Sequence, residues 1–176
     1  MWYVVQTVSG REETMLQLCE NIIESGLIKQ SRIVKSEKKI KKKGTWETSR
    51  LNLFPGYIFV ETESVSNLYE EFKLVPGMTK LLGVGKEIVR LTQEEEEFLF
   101  GLLDEAFTVR MSEGILDGDK VHILKGPLKG YEGYIKKIDR RNRKAILEVD
   151  FFNRKTVMTI GLEIIQKIEK AENEHE

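Results

Sequence analysis

The residues with the clearest chemical potential are cations that crowd into nine positions in the last third of the chain. They are Lys136, Lys137, Arg140, Arg141, Arg143 and Lys144. Cations this close repel one another, so the cluster is unfavourable without a counter-charge. Arginine can bind a phosphate through two parallel hydrogen bonds and can stack on an exposed base. The pattern therefore indicates a polyanion-binding turn, and the alternative is an ordinary solvated turn.

A second cationic stretch precedes Gly44, with six lysines between Lys35 and Lys43. Apolar positions at Ile40 and Trp46 interrupt the charges, as in a long exposed β-hairpin. Two interpretations stay open. Either the lysines are exposed to solvent at the tip of this hairpin, or they form an arm that contacts nucleic-acid phosphates. Salt would weaken such a phosphate contact strongly.

Residues suited to covalent or metal chemistry are few. The carboxylates Glu94–Glu97 could perform acid and base catalysis, but they fall in the first turn of a predicted helix, where they complement its dipole. Cys19 lies among apolar helix positions and is predicted to be a core residue. One cysteine with the separated His122 and His175 falls short of a zinc ligand set. We therefore expect a protein that is not an enzyme and uses no cofactor or metal.

The composition, 40% apolar and 32% charged, is typical of a globular chain. No apolar run reaches the ~18 residues needed to cross a bilayer, and no signal segment opens the chain, so we expect a cytoplasmic protein without membrane contact. We also expect a monomer. The net charge of −1 hides an asymmetry, because residues 1–116 sum to −3, residues 117–170 to +5 and residues 171–176 to −3. The basic part indicates a polyanion partner.

The elements that must position these residues begin with a β-branched and aromatic strand over residues 2–8. Ser9 and Glu12 then form a predicted capping box, and the apolar positions that follow at helical spacing end at Gly26. These positions are Met15, Leu18, Cys19, Ile22 and Ile23.

A second strand is predicted over Leu53–Glu61, and Ser64 is predicted to cap the helix that follows it. The inward face of that helix is predicted to consist of Val65, Leu68, Tyr69 and Phe72. A short strand near residues 79–82 and a third helix, with a capping box at Thr92 and Glu95, complete an α+β domain over residues 1–105.

The spacing of the apolar residues changes after a linker predicted at residues 106–116. Short strands recur at roughly 10-residue spacing between glycine-rich or charged turns, which indicates a small all-β barrel of five strands over residues 117–170. An acidic tail occupies residues 171–176. Val149, Phe151, Thr156, Val157 and Ile160 favour strands and therefore a permanent barrel.

Both domains carry motifs that resemble the NusG family of transcription elongation factors. In the first domain the motifs are Trp2-Tyr3-Val4-Val5 with Gly10 and Glu13, Phe54-Pro55-Gly56-Tyr57-Ile58-Phe59-Val60-Glu61, and Val75-Pro76-Gly77-Met78-Thr79 running to Gly83. In the second they are Gly118-Asp119-Lys120-Val121, Gly126-Pro127-Leu128 with Gly130 and Gly133, and Phe151-Phe152-Asn153-Arg154. The resemblance implies an N-terminal NGN-type antiparallel sheet with flanking helices, followed by a KOW (SH3-like) barrel.

The resemblance also implies a polymerase-binding site in the first domain. Phe54, Tyr57 and Phe59 would form an exposed apolar concavity around Tyr57 that receives the coiled coil of the RNA polymerase clamp. The alternative is that both faces of this strand are simply core. Thr79 and Lys80 would face the opposite side of the polymerase cleft and could contact non-template DNA, whereas the alternative is an ordinary turn.

The chain departs from the sequence pattern of the general, housekeeping members of the family. In these departures it is most similar to the LoaP antiterminators, and RfaH is the other specialised comparison. Asn153 replaces the usual glycine, and the stretch that follows lacks the usual proline and acidic positions, which puts contacts with termination factors and ribosomal proteins in doubt. The similarity implies that the cationic turn binds a structured RNA hairpin, and that Lys125, Lys129 and Tyr131 line the same end of the barrel. A general RNA-binding or ribosome-associated module without a polymerase role is the alternative function.

Overall fold

The computed structural model describes residues 1–23, 25–76, 80–81, 83–84, 87–88 and 90–168. It divides into two units by internal contacts. The first unit consists of Met1–Lys35, Asn52–Gly101 and Asp150–Arg154, and the second of Ser36–Leu51, Leu102–Val149 and Lys155–Glu176. The mixed α+β architecture with an all-β part confirms the predicted fold class.

An antiparallel sheet is the centre of the first unit. Its strands are β1 (Trp2–Gln6), β2 (Gln30–Arg32), β5 (Tyr57–Glu61) and β6 (Lys80–Leu81), in the order β2-β5-β1-β6. Strand β5 begins four residues later than the sequence predicts, because Pro55 and Gly56 form a turn in which Gly56 has a φ of 84°. Strands β7 (Gly83–Val84) and β8 (Glu87–Ile88) form a separate antiparallel pair.

Two helices cover one face of this sheet. They are α1 (Glu12–Ile22) and α2 (Val65–Phe72), and their buried residues join Val5, Ile58 and Val60 in one apolar core. Tyr69 was predicted to face this core, but it is 41% exposed, and Lys73 lies over its ring. Ile22, also predicted on an inward face, is 37% exposed.

The start of α1 differs from the predicted capping box. Arg11 occupies the N-cap position and no side chain caps the helix. Glu12 is buried and accepts a 2.6 Å hydrogen bond from the backbone N–H of Gly56. Burial alone raises the pKa of the Glu12 carboxyl, but hydrogen bonds from the backbone N–H groups of Gly56, Glu12 and Gly10 and from the Asn52 side chain lower it below its ordinary 4.5. The carboxylate therefore ties the helix to the turn before β5.

Helix α3 (Gln93–Leu102) begins with the predicted capping box. The backbone N–H of Thr92 donates to the Glu95 carboxylate at 2.9 Å, and the N–H of Glu95 donates to the Thr92 hydroxyl at 3.1 Å. Trp2 lies beside Phe100 of this helix, with ring centroids 5.2 Å apart. Glu94, Glu95 and Glu96 lie in the first turn, as the dipole argument predicts.

The lysine-rich segment is a hairpin, hereafter the lysine hairpin, made of β3 (Lys35–Lys42) and β4 (Thr45–Asn52). Its two-residue turn has φ values of 47° at Lys43 and 85° at Gly44, the positive pair that a tight hairpin requires. Strand β9 (Thr108–Val109) pairs with β3 to give the order β4-β3-β9. The predicted hairpin is therefore confirmed.

The remaining strands form a five-stranded sheet. They are β10 (Ser112–Asp117), β11 (Lys120–Lys125), β12 (Ile135–Asp139), β13 (Lys144–Phe151) and β14 (Arg154–Ile168), in the order β11-β10-β14-β13-β12. Burial alternates along β13, where Ala145, Leu147, Val149 and Phe151 are buried. Strand β9 and all of β10 except its last residue lie within the predicted linker, and the division into functional domains stays a prediction.

A glycine fixes the loop after β11. Gly126 has a φ of 102°, and a Cβ atom there would lie 2.6 Å from Cα of Ser112. The Ser112 hydroxyl accepts a 3.0 Å hydrogen bond from the N–H of Leu128, whose side chain is fully buried. Within the described residues no helix is long and apolar enough to span a membrane.

We predict that Glu12→Ala lowers the free energy of unfolding by about 1–3 kcal/mol, because the buried N–H of Gly56 loses its acceptor. The depressed pKa means that the carboxylate contributes stability above its unfolded-state pKa, and that this contribution disappears as pH falls through the lower folded-state value. Denaturant unfolding of the wild type, Glu12→Ala and Glu12→Gln between neutral and acidic pH measures both effects. Glu12→Gln keeps an acceptor, so it should be less destabilised and should flatten the acid limb; equal stability of all three at neutral pH would contradict this role.

Candidate functional site

The three aromatic residues predicted to bind polymerase lie together in the first unit. Tyr57 and Phe59 share one face of β5, and Phe54 precedes the turn that starts this strand. The ring centroids of Phe54 and Phe59 are 5.6 Å apart. Phe54 and Phe59 are buried, at 4% and 0% exposure, whereas Tyr57 is half-buried. We call these three residues the aromatic face.

A turn from the C-terminal part of the chain covers the aromatic face. This segment, Asp150–Arg154, joins β13 to β14 and is hereafter the aromatic turn. The ring of Phe151 lies 6.0 Å from that of Phe54, and the ring of Phe152 lies 6.3 Å from Tyr57 and 6.5 Å from Phe59. The predicted open concavity is therefore wrong for this structure, because two phenylalanines occupy it.

Polar contacts hold the aromatic turn in place. The backbone N–H of Phe152 donates to the Glu95 carboxylate at 2.9 Å, so Glu95 binds the turn as well as capping α3. The Arg154 guanidinium carbon lies 5.7 Å from the centre of the Tyr57 ring, and the same guanidinium donates to the Tyr57 hydroxyl. Tyr57 thus contacts a cation and a phenylalanine that sequence reasoning did not connect with it.

The backbone of the aromatic turn explains one departure from the family pattern. Phe152 and Asn153 have φ values of 56° and 58°. Asparagine tolerates the left-handed region better than most residues, so Asn153 can replace glycine without changing the turn. A bulky residue adopts this conformation only when its surroundings hold it, and the packing of Phe152 on the aromatic face together with its bond to Glu95 provides that constraint.

The other two predicted polymerase contacts are less well placed. Thr79 lies outside the described residues. The backbone of Lys80 belongs to β6 and pairs with Gln6 of β1. A role for either residue stays a prediction.

The cationic cluster begins on β12 and continues through the turn to β13. We call Lys136–Lys144 the basic turn. At its tip the Asp139 carboxylate accepts hydrogen bonds of 3.0 and 2.8 Å from the backbone and side-chain nitrogens of Asn142. These bonds lower the pKa of Asp139. Arg140 and Arg141 are exposed at the tip.

The cations of the basic turn do not form one uniform cluster. Lys136 and Lys137 line an open groove between β12 and β11, which also contains Lys120 and His122. Arg143 instead stacks on Trp46 of the lysine hairpin, with its guanidinium carbon 4.6 Å from the ring centre. Sequence reasoning missed this contact, since nothing in the spacing links β4 to the basic turn.

Lys125 and Lys129 were predicted to lie at the same end of the barrel as the basic turn, together with Tyr131. This placement is wrong, because their loop precedes β12 whereas the tip of the basic turn follows it. A five-residue strand of roughly 16 Å separates the two ends. Lys125 also forms a 3.4 Å ion pair with Glu113. RNA binding by Lys125 and Lys129 stays a prediction.

The remaining candidates for chemistry are Cys19 and the potential metal ligands. Cys19 is buried, as predicted, and burial raises the pKa of its thiol to about 12, so it stays protonated. Among the residues that the structure describes, no three His, Cys, Asp or Glu side chains come together in a metal-binding group.

Comparison with known proteins identifies the family. The family model "Transcription termination factor nusG" matches residues 1–99, which is more than half of the chain. The chain is 24% identical to the Helicobacter pylori transcription termination/antitermination protein NusG over 95% of its own length and 98% of the relative's. It is 28% identical to the Thermus thermophilus protein of the same name, with 94% and 97% covered.

Solved structures agree with this similarity. The structure of Thermotoga maritima NusG matches with a TM-score of 0.53 and 25% identity, covering 91% of this chain and 92% of that one. Proteins of this family are non-enzymatic transcription factors. The chain therefore belongs to the NusG family of transcription elongation and termination factors.

Proposed function

We propose that this chain is a specialised antitermination factor, similar to the LoaP antiterminators, that binds RNA polymerase through the aromatic face and a structured RNA through the basic turn. The observation that carries the proposal is the aromatic face. Three aromatic side chains gather on one side of β5, and the one that keeps solvent exposure, Tyr57, is contacted by Phe152 and Arg154 of the aromatic turn. Aromatic anchors of this kind dominate the energy of protein interfaces.

Polymerase binding in this proposal requires the aromatic turn to leave. The clamp coiled coil of the polymerase would take the place of Phe151 and Phe152 against Phe54 and Phe59. The exchange is feasible because one apolar partner replaces another, while the polar cost includes the Glu95 and Arg154 contacts. The affinity for polymerase then depends on the free-energy difference between the state in which the turn covers the aromatic face and the state in which it has left.

RNA binding by the basic turn supplies the specialisation. Arg140 and Arg141 project from the tip with solvent-exposed side chains, so they can reach phosphates and unpaired bases. An RNA held by one part of the chain raises the local concentration of the other part near the transcribing polymerase. A factor that prefers the elongating conformation then shifts polymerase away from the paused one. Lys80 adds a proposed contact with non-template DNA.

Opposite effects are predicted for two substitutions on either side of the aromatic contact. Tyr57→Ala should weaken binding to purified RNA polymerase at least tenfold by removing an anchor of the kind that is worth ≥ ~2 kcal/mol. Phe152→Ala should strengthen it several-fold, because less apolar surface holds the turn closed.

Biolayer interferometry with immobilised polymerase measures both affinities, and thermal unfolding checks folding. Tyr69→Ala is the matched control, since it removes another partly exposed tyrosine, 41% accessible and on α2. A large loss of stability in Tyr57→Ala, with unchanged polymerase affinity in the folded fraction, would favour the core interpretation.

Transcription in vitro tests the function as a whole. With purified polymerase and a template whose leader encodes an RNA hairpin, the chain should increase read-through of a downstream terminator. Reversing two charges, Arg140→Glu with Arg141→Glu, should abolish the leader-dependent part, because the tip would repel phosphates. Arg11→Glu with Arg90→Glu is a control with the same change of charge on exposed residues of the first unit. RNA binding without any effect on polymerase would instead support the ribosome-associated alternative.

A further inference from the structure

The lysine hairpin and the basic turn are far apart in the sequence but contact each other within the second unit. The Arg143 guanidinium lies 4.6 Å above the ring of Trp46 in β4. Its Nη1 atom also forms a 3.3 Å ion pair with Glu163 of β14, and its carbonyl accepts a 3.0 Å hydrogen bond from the N–H of Leu162. Arg143 therefore links β14 to the lysine hairpin.

Contacts along β3 fix the position of the lysine hairpin. The Ser36 hydroxyl donates to the carbonyl of Thr159 at 3.4 Å, and the Glu37 carboxylate pairs with Arg110 at 3.1 Å. A Cβ atom added at Gly161 would lie 2.4 Å from the Glu37 carbonyl, so the two backbones approach closely. The hairpin has a defined place in this unit and is not a freely extended arm.

This packing brings cations of the two segments together. Lys38 and Lys144 directly follow Glu37 and Arg143, whose carbonyl oxygens approach adjacent positions of β14, so the two lysines lie on neighbouring segments. Lys38 is half-buried, and burial together with the charge of Lys144 lowers the pKa of its ammonium group. Two like charges in a partly desolvated place repel each other, and an anion bound between them removes that cost. Phosphate is the anion that both lysines would bind as point charges.

Few carboxylates neutralise this surface. Glu163 pairs with Arg143, and Glu47 pairs with Lys42 at 3.6 Å. Asp139 lies opposite Lys144 across the β12–β13 pair and offsets part of its charge. In the part of the chain that the structure describes, Arg140 and Arg141 form no ion pair. The excess positive charge extends from the hairpin to the tip of the basic turn.

We propose that the lysine hairpin and the basic turn form one composite RNA-binding surface, in which Lys38 and Lys144 bind a common phosphate and Trp46, held by Arg143, contacts the RNA beside it. This inference rests on the proposed RNA binding of the basic turn and adds a second segment to it. Lysine contacts supply affinity through phosphates, and an aromatic ring supplies a stacking surface that accepts any unpaired base. The surface suits a folded RNA better than a single turn does, since a stem–loop presents both a phosphate ridge and unpaired bases.

Binding measurements separate the contributions of the two segments. The probe is a labelled RNA stem–loop that the full wild-type chain enriches from a randomised pool. Lys38→Gln and Lys144→Gln should each weaken binding about fivefold to tenfold and reduce the slope of log affinity against log salt by about one. The double variant should lose less than the product of the two single losses, because both lysines bind the same phosphate.

Controls distinguish the composite surface from a general charge effect. Lys29→Gln removes one exposed lysine from the first unit and should leave RNA affinity and the salt slope unchanged. Lys38→Arg keeps the charge and should restore most of the affinity. Wild-type affinity in Lys38→Gln, while reversal of Arg140 and Arg141 still abolishes binding, would overturn the composite surface and leave the proposed function intact. If Lys38→Gln and the reversal of Arg140 and Arg141 both left RNA affinity unchanged, the composite surface and the proposed RNA binding would be overturned. Failure of the chain to enrich any RNA would overturn them as well.

Fluorescence tests the tryptophan contact independently. The chain has two tryptophans, so a Trp2→Phe background isolates the emission of Trp46. Addition of the selected RNA should quench or shift this emission, and Trp46→Phe should lower affinity less than Lys38→Gln because an aromatic ring remains. Unchanged emission at saturating RNA would overturn the role of Trp46.

Discussion

The constraint on which the first unit depends is that its central sheet is apolar on both faces. Ile58 and Val60 point to the helices α1 and α2, whereas Phe59 points the other way and is equally buried. Full burial of a phenylalanine is worth about 1.5–3 kcal/mol, so neither face can be left in water without a cost comparable to a sizeable part of a domain's stability. In this structure Phe151 and Phe152 meet that requirement.

The same requirement links stability to function. A face that must be covered, but that is covered in part by a turn, can exchange one apolar partner for another. The polar contacts of Glu95 and Arg154 give the turn a defined position. Under the proposed function, the aromatic turn protects the aromatic face from non-specific association, and the population of the covered state reduces the affinity for polymerase.

Electrostatics plays the corresponding part in the second unit. The cations of the lysine hairpin and of the basic turn repel one another. The contact between Trp46 and Arg143 holds the two segments together despite that repulsion. Stacking of a guanidinium on an aromatic ring, with Glu163 as counter-ion, offsets part of the cost. The residual charge is available to an anionic partner, in line with the proposed RNA binding.

The sequence by itself determined the elements whose causes are local. The Thr92–Glu95 capping box, the tight hairpin around Gly44 and the alternating strands of the all-β part follow from side-chain hydrogen bonding and periodicity within a few residues. Tertiary structure decided the rest: which carboxylate binds the N–H of Gly56, what covers Tyr57, and which ring Arg143 stacks on. Each of these contacts joins residues that are distant in the chain, and no local pattern encodes a partner that only the packing of the whole chain brings within reach.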